Sequence, residues 1–402
     1  MISVQEAEKI ILETSRHFGT EDLPFETATG RVLAEPLFAD RDLPPYNRVM
    51  MDGIAINFDS FLSGNRHFTI KGIQAAGEKP IDISEPAECI EIMTGAVLPA
   101  TTDTIIRYED LLMENGMALI QADNIKKGQN IHSRGMDKKK SDQVASSSQL
   151  ITPAIISIAA SIGKSTLTVS KLPSVIIISS GDELVDVDDQ PKPYQVRRSN
   201  NYAVKSILFH YGIVASLLHI PDDREATTSS LGDALNNFDL IIISGGVSMG
   251  KFDLVPSALI QLGVEQLIYK VKQKPGKPFW FGKHEKGPLV FAFPGNPVAT
   301  FLCLHRYLIP WLERSIGLQT PVLYAVLEED IKFEPSLQYF LTARVSSSTT
   351  GLLNASDAGN NNSGDFASLA DANAFIELPA DKNIFRKGEV YRAWPFIGAG
   401  LI

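Results

Sequence analysis

Cysteine is nearly missing from this chain of 402 residues: Cys89 and Cys303 are the only two, far apart in sequence. No disulfide framework and no cysteine-based metal site can be built from them, which fits a reducing compartment and an expected cytoplasmic location. The seven histidines show no H-x-x-x-H or comparable ligand spacing. Any metal is therefore expected on carboxylates, which points to a hard ion such as Mg²⁺. Basic charge is also short. The 37 Lys and Arg face 47 Asp and Glu, a net charge of −10 that argues against a nucleic-acid partner. No apolar run is long enough to span a bilayer, so no membrane partner is expected. The opening Met1-Ile2-Ser3-Val4-Gln5-Glu6-Ala7-Glu8 lacks the basic segment and apolar core of a secretory leader.

What is present is enough apolar sequence, 44%, to build sizeable cores, in a chain too long for one ordinary domain. Residues 3–17 read as a helix with Ser3 as N-cap and Ala7, Ile10, Ile11 and Thr14 on one face. The run Leu43-Pro44-Pro45-Tyr46-Asn47 cannot be helical. Residues 50–142 alternate in short segments broken by glycine, proline and asparagine, the pattern of a β-rich module. An apolar helix over 153–162 starts at Pro153. Its return onto the N-terminal helix would make the β module an insertion. From 173 to about 316, strands at 175–179, 213–219, 239–244, 265–271 and 289–293 alternate with helices at about 200–211, 224–237, 253–262 and 297–316. That rhythm predicts a doubly wound α/β domain with a largely parallel sheet. Strands return at 322–327, 340–345, 374–378 and 390–394, with a loop at 357–365.

Three turns carry the chemistry. Ser244-Gly245-Gly246-Val247-Ser248-Met249-Gly250 and Pro294-Gly295-Asn296-Pro297 each follow a buried-strand run and precede helix-like sequence. That layout turns backbone N–H groups and a helix N-terminus toward an anion. Ligands of such sheets sit beyond the carboxyl ends of the strands, where these turns fall. Between them lies Lys274-Pro275-Gly276-Lys277-Pro278, in a stretch that also holds Lys270, Lys272, Lys283 and Lys286. The bland reading of that stretch is a solvated charged hairpin. The sharper one has the prolines stiffening the turn and Lys274 and Lys277 acting as point charges for phosphate or another oxyanion. Asn296 is the expected N-cap of the following helix, with Pro297 at its first position. Gly245 to Lys251 imitates a phosphate-binding P-loop, but Phe252 stands where Ser or Thr must ligate Mg²⁺, so the ATPase reading is set aside.

Acids gather at neighbouring strand ends: Asp182 and Glu183, then Asp222 and Asp223, then Asp253 after the Gly250 turn. Singly each reads as a helix cap. Together they would hold Mg²⁺ against a pyrophosphate. Met50-Met51-Asp52-Gly53 and Met93-Thr94-Gly95-Ala96 read by themselves only as turns.

In order and spacing these segments, with Leu43-Pro44-Pro45-Tyr46, Ser180-Gly181-Asp182-Glu183-Leu184, Ser199-Asn200 and Pro294 to Val298, resemble the MoeA-type molybdopterin molybdenumtransferases, the family that includes the E domain of gephyrin. The resemblance covers nearly the whole chain. It implies an elongated homodimer of four-domain subunits: 1–46 plus 143–172 for dimerisation, an inserted β-rich domain at 47–142, a MogA-like α/β molybdopterin-binding domain at 173–319, and a C-terminal β-barrel-like domain at 320–402. The implied activity is insertion of molybdate into adenylylated molybdopterin, with Mg²⁺-dependent release of AMP. Implied partners are a molybdopterin adenylyltransferase and apo-molybdoenzymes.

By the same resemblance Asp182, Glu183, Asp223 and Asp253 surround nucleotide and metal, and Lys270, Lys274 and Lys277 bind phosphate or molybdate. Ser180, Gly181, Asn200, Ser244, Gly245 and Gly246 line the pterin pocket. So do Ser248, Gly250, Gly276, Pro294, Gly295, Asn296 and Pro297. Arg344 and Ser368 match positions facing the oxyanion, and Asp52 and Thr94 complete the partner's site. The sequence departs from the family pattern at Ala299 (usually Ser), Lys251 (usually an acid), Arg198 (usually Asp), Met136 (usually Glu) and Asn47 (usually Asp). Of these, Ala299, Lys251 and Met136 support an alternative, an impaired pterin-binding or scaffold protein. Tungstate in place of molybdate is a third reading.

Overall fold

The computed structural model describes residues 1–246, 254–359 and 365–398. The chain forms two compact units, Met1–Ala34 with Ser148–Thr152 and Thr166–Ile402, and Glu35–Ser147 with Pro153–Ser165.

The first unit is built on a six-stranded sheet in the order Ser216–Ile220, Val175–Ser180, Leu240–Ser244, Leu289–Phe293, Trp280–His284, Val264–Tyr269. The first four strands are parallel. Their runs of Val, Ile, Leu and Phe are unbroken because both faces are covered. Successive residues point to opposite faces. Ile177, Leu240, Ile242 and Phe291 therefore join one core, while Ile176, Ile178, Ile241 and Ile243 join the other. The strand Trp280–His284 was not expected. It pairs antiparallel with both neighbours, so the sheet is mixed at that edge.

The helices Asn200–His210, Arg224–Asn237 and Leu254–Gln261 match the expected rhythm. The expected single helix over 297–316 is instead Pro297–Cys303, a π turn at Leu304–Leu308, and Ile309–Ser315. Pro310 accounts for the break, since it has no N–H to give the preceding turn and its ring crowds the carbonyl four residues back. The N-terminal helix Val4–Glu13 begins with a capping box, Ser3 Oγ accepting from Glu6 N at 3.1 Å and Glu6 accepting from Ser3 N at 2.8 Å. Its Val4, Ala7 and Ile11 enter the same core as Trp311 and Leu312. Arg306 on the π turn is almost fully buried and pairs with Glu8 at 2.8 Å and Glu377 at 3.4 Å.

Beyond the sheet, Leu323–Leu327, Gln338–Ser347, Leu353–Asp357, Ala374–Leu378 and Val390–Pro395 close into a barrel, because Gln338–Ser347 pairs with both Leu353–Asp357 and Ala374–Leu378. Closure leaves no free edge among these five strands. The two-residue strand Gln273–Lys274 adds to Gln338–Ser347 in parallel, tying the lysine turn to the barrel. Much of the expected loop at 357–365 lies outside the described residues.

The second unit carries its own six-stranded sheet: Thr104–Arg107, Gly53–Ile56, Glu88–Ile92, His67–Gln74, Met117–Ile120, Leu111–Glu114. Ile54 and Ile56 pack on one side and Ala55 and Ile90 on the other. The helix Pro153–Ser161 belongs to this unit.

Candidate functional site

The site grows from the carboxyl ends of the parallel strands. Gly245 N–H donates to Phe293 O at 3.2 Å, joining the turn after Leu240–Ser244 to the end of Leu289–Phe293. Gly245 has φ +94, and a Cβ there would lie 2.8 Å from Ser180 O, so only glycine permits the approach. Asn200, opening its helix, straps the turns together. Its amide donates to Ser244 Oγ at 2.9 Å, Gly295 O at 2.8 Å and Thr300 Oγ1 at 3.2 Å. Thr300 Oγ1 in turn donates to Pro294 O at 2.6 Å.

This last bond settles what the hydroxyl beside Ala299 does. It is bent inward onto the Pro294 carbonyl, and Ala299 itself presents only a methyl group to the cavity. Asn296 stands at the N-cap with Pro297 in the first turn, as expected, but its side chain does not cap the helix.

Among the described residues, two large cavities lie around these turns. The larger, about 620 Å³, runs along Ser179, Arg198, Asn200, Ser244 and Pro297. Arg198 ion-pairs with Asp186 in its wall. Nearby His219, hydrogen-bonded to Ser179 Oγ at 3.1 Å, is held below the ordinary imidazole range by burial and then by the Arg198 charge. The second cavity, about 550 Å³, brings together Lys274, Lys277, Gly245, Gly295, Asn296 and Glu183. Lys274 and Lys277 are exposed, while Gln273, Pro275 and Gly276 between and beside them are buried. Lys270 is not in this wall; its ammonium lies 5.0 Å above the Tyr269 ring.

The acids are arranged differently. Asp182 and Asp222 exchange backbone-to-carboxylate bonds, Asp222 N to Asp182 Oδ1 at 3.1 Å and Asp182 N to Asp222 Oδ2 at 3.4 Å. Glu183 folds over Gly181, whose φ of +137 and missing Cβ make the room. Asp223 is a helix cap, accepting from Ala226 N at 2.8 Å, as the bland reading of that residue held. Ser248, Gly250, Lys251 and Asp253 lie outside the described residues. Among the described residues, no three His, Cys, Asp or Glu side chains converge closely enough to hold a metal by themselves.

Arg344 and Ser368 line neither cavity among the described residues. Arg344 Nε donates to Asp371 O at 3.0 Å, and Ser368 Oγ to Asp365 O at 2.7 Å. In the second unit, Asp52 Oδ1 accepts from Thr94 N at 2.6 Å and from Thr94 Oγ1 at 2.7 Å. Those two bonds hold the Asp52 carboxyl below the usual carboxylate range.

Sequence reading missed Gln273 and Tyr307, which lie beneath the lysine turn, and the place of Arg198 in a cavity wall. One signal existed for Gln273. In an extended Lys272-Gln273-Lys274 run the middle residue must point inward, and a buried glutamine needs partners.

Family models match in chain order: the MoeA N-terminal region (domain I and II) over residues 2–163, a probable molybdopterin binding domain over 176–314, and the MoeA C-terminal region (domain IV) over 324–396. A Synechocystis protein named molybdopterin molybdenumtransferase is 36% identical over 97% of this chain and 99% of its own length. One of the same name from Bacillus subtilis is 29% identical over 96% and 92%. The solved structure of a molybdopterin biosynthesis moea protein from Pyrococcus horikosii superposes with a TM-score of 0.82 at 26% identity, covering 99% of this chain and all of that one.

Proposed function

The chain belongs to the MoeA family and is a transferase of molybdenum cofactor biosynthesis; from that premise we propose that it inserts molybdate into adenylylated molybdopterin and releases AMP. The observation that carries this is the lysine-walled cavity, in which two exposed ammonium groups, two glycine turns and a carboxylate face one space. Lys274 and Lys277 hold the oxyanion by charge, and the Gly245–Gly246 and Pro294–Asn296 turns offer backbone to the ligand's phosphates. The neighbouring cavity with Arg198 and Asn200 takes the rest of the adenylylated pterin.

The dithiolene sulfurs come from the ligand, so the protein needs no thiol. Both cysteines accord with this: they are fully buried, and burial pushes the Cys89 thiol up to about 12 and raises that of Cys303 as well.

Asp182 and Glu183 are hard oxygen donors beside the phosphate-facing turns, a donor chemistry that fits Mg²⁺, with Asp253 as a further donor. A bound Mg²⁺ would supply charge neutralisation on the pyrophosphate. The chain acts as a homodimer in which Asp52 and Thr94 of one subunit complete the site of the other. It receives its substrate from an adenylyltransferase and passes product to apo-molybdoenzymes in the cytoplasm. No helix among the described residues is long and apolar enough to cross a membrane.

The test is incubation with adenylylated molybdopterin, molybdate and Mg²⁺. AMP release and reconstitution of an apo-molybdoenzyme are expected; neither rising above a no-protein control refutes the reading. Supplying molybdate and tungstate together and measuring the product's metal identifies the preferred anion.

A further inference from the structure

Gln273 is fully buried directly beneath the lysine turn. Its Nε2 donates to Gly276 O at 3.1 Å and lies 3.8 Å from Cys303 Sγ. Its Oε1 accepts a short hydrogen bond from the Tyr307 hydroxyl. Tyr307 sits on the π turn Leu304–Leu308, its ring stacked on Phe279 at 4.8 Å between centroids.

The arrangement has one satisfied state. The Gly276 carbonyl can only accept, so the amide N–H₂ must face it, and the amide oxygen then faces the Tyr307 hydroxyl, which donates. Gly276 rests on this amide without clearance: at φ +81, a Cβ would lie 2.8 Å from Gln273 Nε2 and 3.1 Å from Cys303 Sγ. On its other side the Gln273–Lys274 strand pairs with Gln338 and Tyr339. The inner face of the turn is thus fixed by buried groups, and Lys274 and Lys277 are left pointing outward from a rigid base.

We propose that Gln273 and Tyr307 are a positioning pair that sets the height and direction of the Lys274–Lys277 turn for the oxyanion. The inference rests on the reading that these lysines hold molybdate. Gln273 itself touches no reacting atom; it acts through the Gly276 carbonyl. Without it, that carbonyl and the Tyr307 hydroxyl lose partners that solvent cannot replace, and the turn must shift to regain them.

The test uses the full-length protein and reads half-saturation for molybdate and for adenylylated molybdopterin separately. Gln273→Met keeps the volume and removes both bonds. It is expected to raise molybdate half-saturation about tenfold, the equivalent of one or two net hydrogen bonds, with that for the pterin moving less than about twofold. Tyr307→Phe removes one bond only and is expected to raise molybdate half-saturation about threefold; it reads the same effect should Gln273→Met fold poorly. Ile120→Val, in a core of the other compact unit, is the control for a general loss of packing and is expected to leave both values in place. The proposal is overturned if Lys274→Ala weakens the molybdate response while Gln273→Met and Tyr307→Phe do not, or if those two shift both ligands equally. If Lys274→Ala itself leaves the molybdate response unchanged, the reading of the lysine turn fails first and the positioning role falls with it.

Discussion

Lys274 and Lys277 stand on a turn whose inner face is buried and hydrogen-bonded to Gln273. Asp182 and Glu183 stand on a turn held by backbone bonds and by the reciprocal pair with Asp222. The same cavity receives Glu183 and both lysines. One wall is therefore cationic and braced from within the core, and the other is anionic and solvated. On the proposed reading, the difference matches what each wall would do. Electrostatic stabilisation of an anion gains most when the donors need no rearrangement as it binds. Carboxylates that share a cation with ligand phosphates must instead adjust to the ligand.

The largest expected effect breaks the braced wall directly. Removing both ammonium groups with Lys274→Ala and Lys277→Ala together is expected to lower molybdate-dependent AMP release by about two to three orders of magnitude. Because both side chains are exposed, stability should change by less than about 0.5 kcal/mol in a urea titration.

The brace itself carries a pH signature. His305 lies on the same π turn as Tyr307, its Nδ1–H donating to Phe301 O at 2.8 Å and its Nε2 accepting from Ile397 N at 3.2 Å. Burial lowers its pKa from 6.5 to about 4. Between those values the unfolded chain binds the extra proton and the folded one does not. This contribution is therefore fully present above pH 6.5 and is lost as pH falls toward 4, by up to about 3 kcal/mol. His305→Gln is expected to flatten the stability profile over that window and leave the slope above it alone. An unchanged profile would mean the π turn is not closed around a neutral imidazole.

On the solvated wall, Glu183→Gln is expected to raise the Mg²⁺ concentration needed for half-maximal AMP release by about tenfold without shifting the melting temperature. A large loss of stability there would erase the contrast between the walls. The smallest effect sharpens the braced wall. Ala299→Ser restores a hydroxyl where the wall now carries a methyl group, and is expected to lower molybdate half-saturation about threefold.

Much of the fold was legible because the information was local. Runs such as Val175-Ile176-Ile177-Ile178 announce a strand covered on both faces, and Pro297 after Asn296 announces a helix start. Trp280–His284 escaped because Gly282 and Lys283 interrupt its apolar pattern, and Leu353–Asp357 because Asn354, Ser356 and Asp357 make it polar. The π turn escaped because a proline marks where a helix is disturbed but not how. At the site, the lysines and glycine turns were readable as motifs. The brace beneath them was not, since Gln273 and Tyr307 meet only through the packing of a helix under a turn, 34 residues apart in sequence. The acids were readable as a set, and the structure then divides them: Asp223 and Asp182 each accept from a backbone N–H, of Ala226 and Asp222, whereas Glu183 lines the cavity with the lysines.

The central claim is that molybdate binds against Lys274 and Lys277, and anomalous diffraction from crystals soaked in tungstate locates the anion most directly. A single strong peak is expected within reach of both ammonium groups and the Pro294–Asn296 turn, abolished in the double alanine variant. A peak beside Arg344 and Ser368 instead, or one that survives loss of both lysines, would contradict it.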